Sequence, residues 1–171
     1  MARLWRWTFD LDGPSDIIQE VRVDHLDGEF PRINERCTGP PHRHGWYDAD
    51  TAEAVGEPLR LNAIVHRDGR TGHRSLFELP RGDLTFEPVF LPRSPTAPEG
   101  DGWLTAVVWR ASENHSDLLV FDAQDVAQGL IAAAAVPRRV PASIEAGFLT
   151  DAHLTVIRVG LERGRRPPGP A

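Results

Sequence analysis

The sequence predicts an all-β fold built from antiparallel meanders. Short segments alternate large apolar residues with polar ones, and this period of two is typical of half-buried strands. Glycine and proline, 15 of each in 171 residues, divide these segments into strand-length pieces joined by turns. Patterns that favour helix are nearly absent. Many short strands with little helix indicate a sandwich, a barrel or a propeller.

Four strands are predicted in the first half of the chain. "LWRWTFDL" (4–11) alternates apolar with polar residues, and the turn residues of "DLDGPSD" (10–16) end it. "IIQEVRV" (17–23) resumes the extended pattern. "LNAIVHR" (61–67) and "HRSLFELP" (73–80) flank "DGRTG" and predict a hairpin, because its glycines supply the positive φ angles that such turns need.

The second half continues in the same way. Its predicted strands are 87–93, 102–111, 117–123, 131–137 and 154–161. Residues 122–129 favour one short helical turn. The alanine run that follows has helix propensity, but Pro137 and Pro141 close it off, so we predict a strand or loop there. We expect residues 1–160 to form one β-domain and residues 161–171 to be a disordered tail.

Two segments, 61–93 and 103–137, each have the pattern of a meander of about blade length. A propeller blade is a four-stranded unit of about 40–50 residues. No exact internal repeat accompanies the two segments, so this pattern leaves the sandwich and the barrel open.

Composition argues against several functional classes. The net charge of -6 and the pI of about 5.6 do not fit a general nucleic-acid binder, which would show a basic face. The single cysteine, Cys37, allows no internal disulfide and fits a reducing compartment. The N-terminus lacks the apolar core of a signal peptide, and the longest apolar run, 129–136, is too short to span a bilayer. We therefore expect a cytoplasmic protein without a transmembrane segment.

Histidines and a thiol are the first candidates for chemistry. If "HRH" is extended, His42 and His44 share one face and could both approach one metal ion. No third ligand lies nearby at a familiar spacing, so the alternative is two polar loop residues after "GPP". Cys37 has no pairing motif and is interpreted as an idle or buried thiol. The sequence has no glycine-rich phosphate loop and no nucleophile elbow.

Glu29 and Glu87 are better candidates. Each precedes an aromatic residue or proline in a stretch that otherwise has the composition of a protein interior. A buried carboxylate is costly unless it is paired or hydrogen-bonded, and one frequent partner is the free N–H of a metal-ligating histidine. From the pattern alone, the alternative is that each glutamate ends a strand in water.

Five segments resemble, in the same order, motifs of the carotenoid oxygenases, also called carotenoid cleavage dioxygenases. This family includes the lignostilbene dioxygenases and the retinal pigment epithelium isomerase. The segments are "EFPRINERCTGPPHRHGWY" (29–47), "FEPVFLPR" (86–93), "DGWLTAVVW" (101–109), "DLLVFDAQDVAQG" (117–129) and "RRVPASIEAGF" (138–148). The resemblance runs from about residue 3 to residue 158 and corresponds to the C-terminal third or so of the family.

The resemblance implies the last blades of a seven-bladed β-propeller. In this family a non-haem Fe(II) lies on the propeller axis, bound by four histidines, three of which are tied to glutamates. The iron activates O₂, which is added across a double bond of a carotenoid, apocarotenoid or stilbene to give two carbonyl products.

The motifs can be carried over residue by residue. Glu29 and Glu87 match two of the glutamates that hold ligand histidines. His42 and His44 lie where the family has no iron ligand, which favours the interpretation as polar loop residues. The fourth ligand histidine follows Arg-Val-Pro in this family, and here Glu145 holds its place. A carboxylate can bind a metal, but a catalytic metal normally needs about three protein ligands.

The resemblance also predicts what the chain can do on its own. The family's other three iron histidines belong to segments that precede the matched third, so we expect an incomplete oxygenase that is inactive and without iron on its own. Two alternatives stay open. One is half of a split oxygenase, completed by a partner chain and acting on an apolar polyene or stilbene; the other is a non-catalytic β-rich binding module.

Overall fold

The computed structural model describes residues 2–13, 17–51, 60–137 and 139–141. Within these ranges the chain forms nine β-strands and two short 3-10 helices. The strands are Arg3–Thr8 (β1), Gln19–Ile33 (β2), His44–Asp50 (β3), Ala63–Asp68 (β4), Arg74–Glu78 (β5), Leu84–Pro92 (β6), Gly102–Arg110 (β7), His115–Asp122 (β8) and Leu130–Val136 (β9). The 3-10 helices are Glu35–Cys37 and Val126–Gln128, and the second confirms the helical turn predicted at 122–129. The predicted all-β class is confirmed.

The strands form two antiparallel meanders. The first sheet has the order β1-β2-β3-β4-β5 and the second the order β6-β7-β8-β9, so every strand pairs with its neighbour along the chain. The prediction of one meander over 61–93 is wrong, because β6 pairs with β7 and not with β5. A turn closed by Asp83 N–H and the Pro80 carbonyl, with Gly82 at φ +96°, leads the chain out of the first sheet.

One central strand, β3, is absent from the sequence prediction. Trp46 and Asp48 lie on one of its faces and Tyr47 and Ala49 on the other, and all four side chains are buried. A strand that is covered on both faces loses the alternation of polar and apolar residues, which is the signal that sequence analysis reads.

The main core lies between the two sheets. Its members are Trp46, Ile64, Leu79, Phe90, Leu104, Ala106, Val108, Leu119, Phe121, Ala123 and Val126. Trp46 of β3 joins the sheets in two ways. Its ring stacks on Phe90 of β6 at 4.7 Å between centroids, and its Nε1 donates to the Ala123 carbonyl at 2.6 Å.

A β-bulge interrupts each of the two strands that carry the glutamate motifs. The register shifts between Glu29 and Arg32 in β2 and between Phe86 and Val89 in β6. In both motifs a proline follows the glutamate within two residues and removes a backbone N–H from the ladder. Phe30 and Glu87 adopt positive φ angles of 54° and 33°, which residues other than glycine rarely do. The two bulges therefore hold strained backbone next to the candidate carboxylates.

Two apolar surfaces stay open to solvent at opposite ends of the chain. One surrounds β1 and the start of β2, and the other lies on β9. The exposed residues are Trp5, Trp7, Phe9, Leu11, Ile17, Ile18, Val21, Leu130 and Ile131. No helix among the described residues has the length and apolar character needed to cross a membrane. The strand predicted at 154–161 and the tail predicted at 161–171 lie outside the described residues.

Candidate functional site

Glu29 lies at the β2 bulge and borders a pocket of about 220 Å³. The pocket is lined by Ala2, Arg3, Leu4, Gly28, Glu29, Pro31 and Tyr47. The carboxylate of Glu29 forms no hydrogen bond or ion pair with any other described residue. The cation among the lining residues, Arg3, donates from Nε to Asp27 at 2.8 Å instead. Glu29 is thus placed to accept a hydrogen bond from a donor that enters the pocket.

The floor of this pocket depends on a glycine. A Cβ atom on Gly28 would lie 2.6 Å from the Asp48 carbonyl and 2.8 Å from Cδ2 of Tyr47, closer than real contacts allow. Tyr47 is buried, and its desolvation raises the pKa of the phenol. The neighbouring Tyr47 hydroxyl therefore stays protonated.

Glu87 has a different environment from Glu29. It is buried, and its Oε1 accepts a hydrogen bond from Nη1 of Arg32 at 2.9 Å. Arg32 lies three residues after Glu29 in the other bulge, so the ion pair links the two motifs across the sheets. Sequence analysis missed Arg32, although a charged side chain within an apolar stretch such as "FPRI" signals a buried partner.

Asp48 of β3 is a second residue that sequence analysis missed. It stands opposite Glu29 in the β2–β3 ladder and is 0% exposed. Its Oδ1 accepts a hydrogen bond from Thr85 Oγ1 at 3.2 Å. Burial raises the pKa of Asp48 well above its ordinary value, and the charge of Glu87 adds to the effect.

The two histidines of "HRH" separate in the structure. His42 is exposed, whereas His44 begins β3 and is buried, so the interpretation of His44 as a polar loop residue is wrong. Its Nδ1 lies 2.9 Å from Nε2 of His66, and the two rings stack at 5.1 Å between centroids. Glu99 accepts the backbone N–H of His44 and fixes the loop that covers it.

These side chains do not build a metal centre by themselves. Across the described ranges, no three His, Cys, Asp or Glu side chains converge in a way that could hold a metal ion. Cys37 is half-buried with a free thiol. Glu145, predicted at the place of the fourth iron histidine, lies outside the described residues. The described part of the chain therefore does not fit Fe(II) on its own, and iron would need ligands from elsewhere.

The buried histidine pair predicts a pH-dependent stability. Burial, helped by neighbouring His44, lowers the pKa of His66 to about 4. Below about pH 6.5 the unfolded chain then binds more protons than the folded chain. The free energy of unfolding is therefore expected to decrease as the pH is lowered from about 6.5 to 4, by about 3 kcal/mol in total. Urea unfolding at several pH values measures this slope.

A pair of glutamine variants tests this assignment. His66→Gln should flatten the slope between about pH 6.5 and 4, whereas His42→Gln, at an exposed position, should leave it unchanged. Equal slopes in the wild type and His66→Gln would contradict the prediction.

The chain is similar in sequence to known proteins over most of its length. A family model described as retinal pigment epithelial membrane protein (RPE65) matches residues 1–149. The chain is 36% identical over 150 residues to isoeugenol monooxygenase of Pseudomonas nitroreducens, covering 84% of this chain and 31% of the relative. It is 33% identical over 162 residues to lignostilbene-α,β-dioxygenase isozyme III of Sphingomonas paucimobilis, covering 90% and 33%.

Solved structures agree with these sequence matches. The crystal structure of Pseudomonas brassicacearum lignostilbene dioxygenase superposes with a TM-score of 0.75 at 32% identity, covering 82% of this chain and 31% of that one. Synechocystis apocarotenoid oxygenase gives 0.72 at 28% identity, covering 81% and 28%. The chain spans about a third of the length of the relatives it matches. With the family model matching most of its length, this chain belongs to the RPE65 or carotenoid oxygenase family.

Proposed function

We propose that this chain forms the last blades of a seven-bladed propeller oxygenase that cleaves a double bond of an apolar stilbene, carotenoid or apocarotenoid. Its part in that site is to supply carboxylates that orient the histidine ligands of a non-haem Fe(II). The observation that carries the proposal is Glu29, a carboxylate without a partner among the described residues, placed at a strained bulge and bordering a pocket.

The chemistry of Glu29 suits this role. A ligand histidine commonly donates its second ring N–H to a carboxylate, which fixes the tautomer and the ring orientation and makes the imidazole a better ligand. The pocket gives such an N–H a place beside Glu29, since Arg3 is already paired with Asp27. Glu87 matches the same kind of position, and its Oε1 accepts a hydrogen bond from Arg32.

The proposal includes inactivity of the chain alone. Two points support it: no three ligating side chains converge within the described residues, and the motif resemblance places Glu145 where the family has its fourth histidine. The exposed apolar surfaces around β1 and on β9 favour one alternative, a split oxygenase in which a partner chain covers these faces. A partner of that kind would supply the other blades and the missing histidines.

Metal analysis of the purified chain tests the proposal. After incubation with Fe(II) under exclusion of oxygen and desalting, we expect far less than one iron per chain. On addition of O₂ and a hydroxylated stilbene, we expect no aldehyde products by chromatography. A stoichiometric iron content together with O₂-dependent cleavage would overturn the proposed inactivity. A monodisperse, cooperatively melting monomer that binds stilbene without iron would instead support the binding module.

A further inference from the structure

Three residues form a row on the face of the second sheet that points away from the main core. Trp109 of β7 stands opposite Ser116 of β8, which in turn stands opposite Val136 of β9. Successive side chains of a strand alternate between faces, and Val108 belongs to the main core, so Trp109 and its cross-strand partners lie on the other face. Ser116 is 0% exposed there, whereas Leu118, the next residue of β8 on this face, is only half-buried. The cover over Ser116 is therefore local.

The chain that follows β9 folds back over this row. The backbone N–H of Val140 donates to Oγ of Ser116 at 3.0 Å. The guanidinium of Arg139 lies over the ring of Trp109, 5.4 Å from its centroid, which is within the range of a cation–π contact. The ring is itself held, because its Nε1 donates to Oδ1 of Asn114 at 3.3 Å. Two contacts of different kinds thus attach two consecutive residues to the hairpin of β7 and β8.

The proline after Val140 gives this attachment a direction. The ring of Pro141 fixes its own φ angle at about −65° and restricts the preceding Val140 to extended conformations. The chain therefore leaves the attachment point along a course that these two residues set. Glu145 follows Pro141 by four residues, and four residues of any chain span at most about 14 Å.

We propose that Ser116 and Trp109 are positioning residues that anchor the segment 139–141 and so fix where the chain begins its course toward Glu145. A ligand that is carried on a loop needs such support, because sites on loops are held less precisely than sites on strands. The motif resemblance places the family's fourth iron ligand at Glu145, so the importance of the anchor for a metal rests on the proposed function. The anchor itself is a property of this chain.

Amide hydrogen exchange of the full chain tests the contact made by Ser116. Ser116→Ala removes the acceptor and should speed exchange of the Val140 amide by about fivefold or more, while the amide of Leu104 in β7 changes much less. Ser116→Thr keeps a hydroxyl acceptor and should retain the protection at Val140. Ser112→Ala makes the same substitution at an exposed serine between β7 and β8 and should change neither amide. Equal acceleration at Val140 and Leu104 in Ser116→Ala would mean a general loss of stability and would overturn the proposal.

The side chain of Arg139 gives a second readout, away from the substituted atom. In the parent chain the ring current of Trp109 should move the NMR signals of the Arg139 side chain upfield. Ser116→Ala should reduce this shift, although it leaves both of these side chains in place. Trp109→Leu, which has no ring, marks the unshifted position of the signals and should also speed exchange at Val140. An undiminished Arg139 shift in Ser116→Ala would overturn the positioning role, even with faster exchange at Val140.

These readouts need neither iron nor substrate. A completed enzyme that binds no iron would refute the proposed function and leave the exchange and NMR data standing. Unchanged exchange at Val140 together with an unchanged Arg139 signal in Ser116→Ala would refute the anchor and leave the proposed function standing.

Discussion

Trp46→Ala is expected to destabilise the chain by about 4 kcal/mol, because truncation of a buried tryptophan removes packing and leaves a cavity. Trp46 is 1% exposed and stacks on Phe90 across the two sheets. It also donates its indole N–H to the Ala123 carbonyl, which the truncation would leave without a partner. Equilibrium unfolding in urea, followed by far-UV circular dichroism, measures the change.

Two further variants separate the sources of this effect. Trp46→Phe keeps a stacking ring but loses the indole donor, so it should cost about 1–3 kcal/mol. Trp5→Ala removes a tryptophan of β1 that is 47% exposed and should cost less than about 1 kcal/mol. If Trp46→Ala and Trp5→Ala destabilise equally, Trp46 does not join the two sheets as described.

Sequence analysis located most of the strands and missed one central strand. Strands β1, β4, β7 and β8 match predicted segments to within a few residues, because alternation and flanking turns mark them. Strand β3 was missed because both of its faces are buried, whereas β4, which is also buried on both faces, was marked by the turn residues of the hairpin that follows it. The boundary between the two sheets was also not predicted, because the local sequence pattern of β6 does not indicate whether it pairs with β5 or with β7.

Some residues of the candidate site were found from the sequence and others were missed. Glu29 and Glu87 were identified from unusual acids in apolar segments and from motif resemblance. Arg32, Asp48 and Thr85 were not identified, because their roles depend on contacts between residues far apart in sequence; Arg32 and Glu87, for example, are separated by 55 positions. His44 was misjudged for the same reason, since its burial depends on His66 and on the loop that covers it.

Glu145→His is expected to restore iron binding when this chain replaces the corresponding third of the Sphingomonas paucimobilis lignostilbene dioxygenase. Under the proposed function, the relative's remaining segments would supply the other histidine ligands and cover the apolar faces of this chain. With Glu145 in place we expect far less than one iron per protein, and with histidine an increase in iron affinity of more than about a hundredfold. A lost ligand should cost more than a lost partner of a ligand, for which about 10–100-fold is typical. Metal analysis and O₂-dependent stilbene cleavage are the measurements.

Variants in this restored background test the glutamates. Glu29→Gln keeps the size of the side chain but weakens its acceptor, so iron affinity or activity should fall by about 10–100-fold. Glu78→Gln, at an exposed glutamate on the edge strand β5, is the matched control and should change neither. If Glu145→His leaves iron occupancy unchanged while the grafted protein folds, the segment 138–148 is misaligned with the family's fourth histidine. If occupancy is restored but Glu29→Gln has no effect, the carboxylate at the β2 bulge does not orient a ligand, and Glu87, paired with Arg32, would remain as the candidate carboxylate of this chain.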